Sequence, residues 1–171
     1  MGAEIKFLPE KPVAGVMLSE GIDPETVWRR LESEFGPLDF IGKPYPFSFT
    51  SYYEPEMGAR ISKYIVSFRD LIDPQTLSAV KHRTNEIENE FAVNGCRRVN
   101  LDPGIMDLNR FILATTKNRG HRIPLADAIY GELTLIYIRG RFEPLPWTYA
   151  DYKTDAVRAD LETVRKIIKS H

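Results

Sequence analysis

The phrase Ile22-Asp23-Pro24-Glu25-Thr26-Val27 returns fifty residues later as Ile72-Asp73-Pro74-Gln75-Thr76-Leu77. This repeated helix start constrains the fold more than any other feature of the chain. Each copy follows a short apolar run and an acidic residue, Glu20 and then Asp70. In each, the Asp side chain can accept a free N–H of the first helical turn, and Pro takes a position whose missing N–H costs nothing. Two strand-to-helix units of one design imply a fold built on a duplicated half.

The remaining pattern fills in the elements. Val13–Leu18 is nearly all apolar, as in a buried central strand. Val27, Leu31 and Phe35 make one helical stripe with Trp28 beside it, and Gly36-Pro37 ends that helix. Residues 45–53 alternate and predict a strand, which turns at Met57-Gly58 into a second over 59–69. The second helix is expected from Pro74 to about Ala92. Its stripe is Leu77, Val80, Thr84, Ile87 and Phe91, with Lys81, Arg83, Glu86 and Glu88 turned outward. Asn94-Gly95 closes it and 96–101 reads as a strand. This β-α-β-β-α-β order predicts an α+β, ferredoxin-like (split βαβ) core with an antiparallel sheet and both helices on one face.

Beyond it, Asp102-Pro103-Gly104 reads as a turn. Segments 108–117, 120–125 and 131–139 are expected strands, 144–147 a Pro-stiffened connector, and Asp155–Lys169 an amphipathic helix. The expectation is a single domain over 1–171, with its core over about 12–102 and the sheet extension and C-terminal helix over 103–171.

With 43% hydrophobic and 27% charged residues the composition is that of a globular protein, and a net charge of −1 supplies no field toward nucleic acid or anionic membranes. The lone Cys96 precludes an intrachain disulfide and suits a reducing compartment. Glu4, Lys6, Glu10 and Lys11 interrupt the apolar residues of the N-terminus, so no signal-peptide core is read there. The expectation is a cytoplasmic protein without a membrane segment.

Chemistry-bearing residues concentrate between Asn100 and Tyr152 and at Tyr52–Gly58. Glu132, on an otherwise apolar strand, needs a partner once buried; a salt bridge to Arg122 or Arg139 is the structural alternative to a catalytic role. Asp102 can act in chemistry or hold its own turn, and Glu54 and Glu56 can bind or simply be solvated. Lys117, Arg119, His121 and Arg122 would crowd one end if 108–117 pairs with 120–125, where a phosphate or carboxylate could bind. The rings of Tyr52, Tyr53 and Trp147 can wall a pocket, although Trp147, Tyr149 and Tyr152 can equally lock the connector onto the sheet. His82, His121 and His171 lack metal-ligand spacing. Cys96, beside Arg97-Arg98, reads as a small core residue on a strand.

Four of these pieces together resemble a family. Tyr52-Tyr53 with Glu56-Met57-Gly58, Leu101-Asp102-Pro103-Gly104, Thr115–Ile123 and Trp147-Thr148-Tyr149 with Asp151-Tyr152 are similar to the pattern of a bacterial and archaeal domain-of-unknown-function family sometimes labelled "GTP-binding protein". The resemblance implies that these residues form one site and implies no reaction. The residues do not support a conventional GTPase: no Gly-x4-Gly-Lys-Ser/Thr loop is present, and Thr116-Lys117-Asn118-Arg119 has Arg where a guanine-reading motif needs a carboxylate.

Two readings follow. In the first, a pocket takes an anionic small molecule, a nucleotide or phosphorylated metabolite. Lys117, His121 and Arg122 bind the anion, Tyr52, Tyr53, Glu54 and Trp147 complete the binding set, and Glu132, Asp102 and His121 are the catalytic candidates; no metal, cofactor or oligomeric state is specified. In the second, which ranks lower, exposed aromatics such as Tyr64, Phe68, Phe47 and Phe49 make the sheet a nucleic-acid or protein interaction module.

Overall fold

The computed structural model describes residues 5–170. It is a mixed α+β structure whose nine strands form one open sheet. The strands are β1 (Lys11–Ser19), β2 (Leu38–Ile41), β3 (Tyr45–Pro46), β4 (Ile61–Phe68), β5 (Val99–Met106), β6 (Arg110–Thr115), β7 (Ile123–Pro124), β8 (Tyr130–Ile138) and β9 (Arg141–Pro144). The helices are α1 (Pro24–Phe35), the single turn α2 (Glu54–Met57), α3 (Leu77–Glu90) and α4 (Asp155–Lys169). The order across the sheet is β2-β4-β1-β5-β6-β8-β7, with β3 on β4 and β9 on β8, and every pairing is antiparallel.

Both repeated phrases start helices. Asp23 accepts the Glu25 N–H at 3.3 Å, and Asp73 accepts the Gln75 N–H at 2.9 Å. The second copy makes one 3-10 turn, Pro74–Thr76, before α3 begins. Alternation along β1 sorts the core. Ala14, Val16 and Leu18 face α1 and α3, where Val27, Leu31 and Ile87 cover them. Val13 faces the opposite side, where Val157, Leu161 and Val164 of α4 close over Ile65, Phe111 and Leu135. Buried on both faces, β1 reads as the continuous apolar run of a central strand. No helix among the described residues is long and apolar enough to cross a membrane.

Several expectations are corrected. Of 45–53 only Tyr45–Pro46 pairs as a strand, and α2 follows where a hairpin loop was expected; Leu38–Ile41 is an additional strand. Cys96 lies in an exposed turn bridged to Val93 rather than in a core strand. The short strand at Ile123–Pro124 pairs with β8 and not with β6, and the connector supplies a further strand, β9. Tyr64 and Phe68 are not open to solvent for base stacking. Tyr64 meets Trp28 of α1 edge-on at 5.2 Å, and Phe68 meets Phe35 at 5.5 Å.

The most consequential correction concerns Asp102-Pro103-Gly104. It is not a turn but the middle of β5, paired with Gly15, Ala14 and Val13 of β1. On its other side β5 pairs with β6 only from Met106↔Phe111 to Gly104↔Leu113. There the sheet forks. At the fork's apex the strands are close: a Cβ on Gly104 would strike the Ile112 carbonyl oxygen. Beyond it, the Leu101 N–H and C=O bond to α3 side chains instead of to β6. Pro103 has the same backbone orientation two residues away and carries no N–H to offer β6. Proline thus stands where the ladder stops.

Candidate functional site

The parting of β5 and β6 opens a cavity of about 600 Å³ on the polar end of the sheet face that α4 leaves uncovered. Asn100 and Asp102 of β5, Lys63 of β4 and Glu132 of β8 form its floor. Strand register explains why they share a face. Lys63 and Asn100 both lie opposite Met17, while Glu132 lies opposite Leu113, itself opposite Gly104. Phe47, Tyr52 and Tyr53 roof one side; Tyr149, Asp151 and Tyr152 roof the other.

Two ion-pair groups hold the floor. Lys63, buried with 2% of its side chain exposed, binds Asp151 directly and lies 3.7 Å from Asp102. Its ammonium also sits 4.5 Å from the centre of the Tyr152 ring, a cation–π contact strengthened by the loss of solvent. At the fork, Glu88 accepts the Leu101 N–H at 2.7 Å and Lys81 donates to the Leu101 C=O at 2.8 Å. The two α3 side chains replace the missing strand, so the open backbone edge is satisfied. Lys81 and Glu88 are therefore buried, not outward-facing as the helical pattern predicts. Burial pushes the Glu88 carboxyl above its ordinary range. Arg97 bonds both oxygens of Glu56, at 2.9 and 2.7 Å, and holds that carboxyl below its ordinary range.

Three residues of the lining each carry a deeply buried polar atom that has no partner among the described residues: Asn100 Nδ2, Glu132 Oε1 and the Tyr152 hydroxyl. These residues are 4%, 1% and 1% exposed. The other oxygen of Glu132 is occupied by Arg122 Nε at 2.7 Å and His121 Nε2 at 3.0 Å. This salt bridge to Arg122 is the structural alternative the sequence offered, and it leaves Oε1 free. Burial pushes the Tyr152 and Tyr53 phenols upward, so both remain protonated donors at neutral pH. At the mouth, Lys117 lies 4.5 Å from the Tyr52 ring centre.

Among the sequence-derived candidates, Tyr52, Tyr53, Asp102, Lys117 and Glu132 border the cavity. His121 and Arg122 stand outside its lining and bear on Glu132. Trp147 stacks on His121 with centroids 5.1 Å apart and donates to the Leu133 C=O at 2.8 Å. Glu54 is exposed at the start of α2 and is not among the lining residues, although its neighbour Tyr53 is. Asp102 does not hold a turn; its carboxyl faces Lys63. Lys63, Lys81 and Glu88 are members that sequence reasoning missed, while Asn100 and Asp151 lay in the segments it marked but were given no role. The spacing of Lys81 and Glu88 from Leu77 and Thr84 on one side of α3 was a usable signal. Nothing local marks Lys63. His171 lies outside the described residues.

An open antiparallel α+β sheet, forked internally around a polar cavity, defines the architecture. The chain belongs to the family described as a domain of unknown function (DUF4416), which matches residues 9–167 and so spans the whole cavity. No curated protein and no solved structure matches the chain.

Proposed function

We propose that this protein binds an anionic small molecule, a nucleotide or phosphorylated metabolite, in the cavity at the fork. One observation carries the reading: Asn100, Glu132 and Tyr152, on three separate segments, each bring a buried, unpartnered polar atom to one cavity. The large majority of buried side-chain polar atoms in proteins are hydrogen-bonded, because an unpaired one costs about 1–3 kcal/mol. Three of the seven unpartnered atoms among the described residues belong to residues that line this cavity. Three at one place support a bound molecule that supplies their partners. Lys117 supports the anionic character. Lys63, Lys81 and Arg97 have carboxylate neighbours within 4.0 Å, whereas Lys117, over the Tyr52 ring, is the one cation on the lining without one among the described residues.

In this reading Tyr52, Tyr53 and Phe47 are the apolar walls, Lys117 meets the acid, and Glu132 and Asp102 are the groups able to accept a proton from the ligand. Arg122 and His121 orient Glu132 instead of touching the ligand, and Trp147 braces His121. The reading also takes the first half of the chain as a split βαβ unit, with the fork on its β5 edge, and the protein as a cytoplasmic single domain.

Thermal melting tests it, with AMP, GTP, ribose 5-phosphate and inorganic phosphate at millimolar concentration. A bound probe at a hundred times its Kd stabilises by about 2.7 kcal/mol, and Lys117→Ala removes that gain. If no probe moves the melting temperature, the proposal fails. The interaction-module alternative draws less support, since Tyr64 and Phe68 pack beneath α1; it predicts retention on heparin at low salt.

A further inference from the structure

We infer that the ligand of the fork cavity is a nitrogen-bearing monoacid: a molecule with one acidic group at Lys117 and N–H donors at Glu132. The inference rests on the reading above only in that the fork cavity binds a small molecule through an acidic group; it adds polarity and charge. Binding by an amino acid alone would keep the cavity as the site while replacing the phosphorylated ligand of that reading.

Polarity follows from the two orphaned side chains whose orientation is set by a neighbour. Asn100 Oδ1 accepts Arg97 Nη1 at 2.9 Å. A guanidinium can only donate, so the amide cannot be flipped, and its NH2 is the end left without a partner. Asn100 therefore asks the ligand for an acceptor. Glu132 is fixed in the opposite sense. Arg122 and His121 both engage Oε2, which leaves Oε1, buried and without a partner, to ask for a donor. The two stand on strands separated by β6, so they read different ends of the ligand. A bare sugar phosphate, rich in hydroxyls and phosphate oxygens, satisfies Asn100 but offers Glu132 only weak hydroxyl donors. An amino or ring N–H group offers a charge-assisted bond.

Charge follows from the pairing on the walls. Lys63 faces Asp151 and Asp102, Lys81 faces Glu88, and Arg97 faces Glu56 and Glu88. These cations are already neutralised. Lys117 is left to meet one acidic group; a triphosphate brings several negative charges and would crowd them against Asp102 and Glu132. Two families of compound share the required chemistry: nucleoside monophosphates whose base carries an amino group, and free α-amino acids. The roof of Phe47, Tyr52 and Tyr53, whose rings meet edge-on at 5.1 to 5.8 Å, is suited to either a flat base or an apolar side chain.

The test is isothermal titration of the intact chain with AMP and CMP, with the free amino acids, with ribose 5-phosphate and with ATP. The expected result is binding by the monophosphates or by an amino acid, which separates the two sources. ATP should bind no tighter than AMP, and ribose 5-phosphate at least tenfold more weakly. Glu132→Gln reverses the polarity of the floor, because Arg122 and His121 keep its oxygen and the new NH2 faces the cavity. It should weaken the nitrogen-bearing probe at least tenfold and change ribose 5-phosphate less than about threefold, since a hydroxyl can donate or accept. Lys117→Ala should weaken all probes alike. Should Glu132→Gln fail to fold, Asn100→Asp, which keeps the acceptor for Arg97 and removes the donor, should weaken every acceptor-bearing probe. Equal binding of AMP and ribose 5-phosphate, both indifferent to Glu132→Gln, overturns this inference and leaves anion binding standing. Tighter binding of ATP than AMP overturns it as well. Silence from every probe overturns both.

Discussion

Glu88 and Leu101 are joined where two strands part: the carboxylate of α3 accepts the Leu101 N–H at 2.7 Å, in the place a β6 carbonyl would occupy in a closed sheet. Glu88 is at once a strand substitute, the counter-charge of Lys81 and a neighbour of Arg97. Glu88→Ala is expected to lower unfolding free energy by about 3 kcal/mol, since it leaves a buried amide unpaired and a buried cation uncompensated. Glu88→Gln, which still accepts the amide, should cost less than half of that. Urea denaturation measures both, and Leu101 amide exchange should accelerate in the Ala variant alone.

Gly15 lies beneath Tyr152 and Lys63. A Cβ there would come within 2.5 Å of the Tyr152 hydroxyl and 2.9 Å of Lys63 Cε. Gly15→Ala should destabilise by about 2 kcal/mol through overpacking. In a Tyr152→Phe background the cost should shrink by about 1 kcal/mol, because the closest clashing atom is gone. Strict additivity in a double-mutant cycle would argue that Tyr152 does not pack against Gly15.

Tyr152→Phe alone should not destabilise the ligand-free protein. The hydroxyl it removes is buried and unpartnered, so the substitution is expected to be neutral or stabilising by about 1 kcal/mol. A tyrosine locked by a hydrogen bond would lose stability instead. Thermal melts of the two proteins without added ligand decide between these outcomes.

Acid should loosen the contact between α1 and α3. Glu34 of α1 accepts Arg83 of α3 at 2.7 and 2.8 Å and Arg30 at 3.1 Å. These guanidinium groups lower its pKa from 4.5 to about 2. A depressed carboxylate contributes stability that is complete above the unfolded value and disappears as pH falls through the folded one. The loss attributable to Glu34 therefore lies between pH 4.5 and about 2. Glu88, pushed up by burial, acts in the opposite sense, so the comparison is between wild type and Glu34→Gln. The wild type should lose more of its urea midpoint between pH 5 and 2.5 than the variant does; equal losses would refute the assignment.

Helix starts and periodicity were legible without coordinates. Asp23 and Asp73 cap the helices their phrases announce, and α4 occupies residues 155–169 as its spacing implies. These are features a few neighbouring residues decide through backbone geometry. Asp102-Pro103-Gly104 misled for the same reason: its local chemistry is that of a turn, but pairing with β1 along its whole length keeps it extended. Local preference of about a kilocalorie yields to a ladder of hydrogen bonds and a buried face.

The site divides in the same way. Its roof residues Tyr52 and Tyr53 and the mouth residue Lys117 stood out by type and clustering, although only folding brings Lys117 over Tyr52. Lys81 and Glu88 read as outward-turned charges of a helix, and nothing local singles out Lys63. Each is buried because a group distant along the chain awaits it: Asp151 for Lys63, the Leu101 backbone for the other two. By itself the sequence determined where helices begin, which faces are apolar and that unusual polar residues are concentrated late in the chain. Tertiary structure alone decided where the sheet opens and which charges leave water, because desolvation depends on what covers a side chain and not on its neighbours along the polymer.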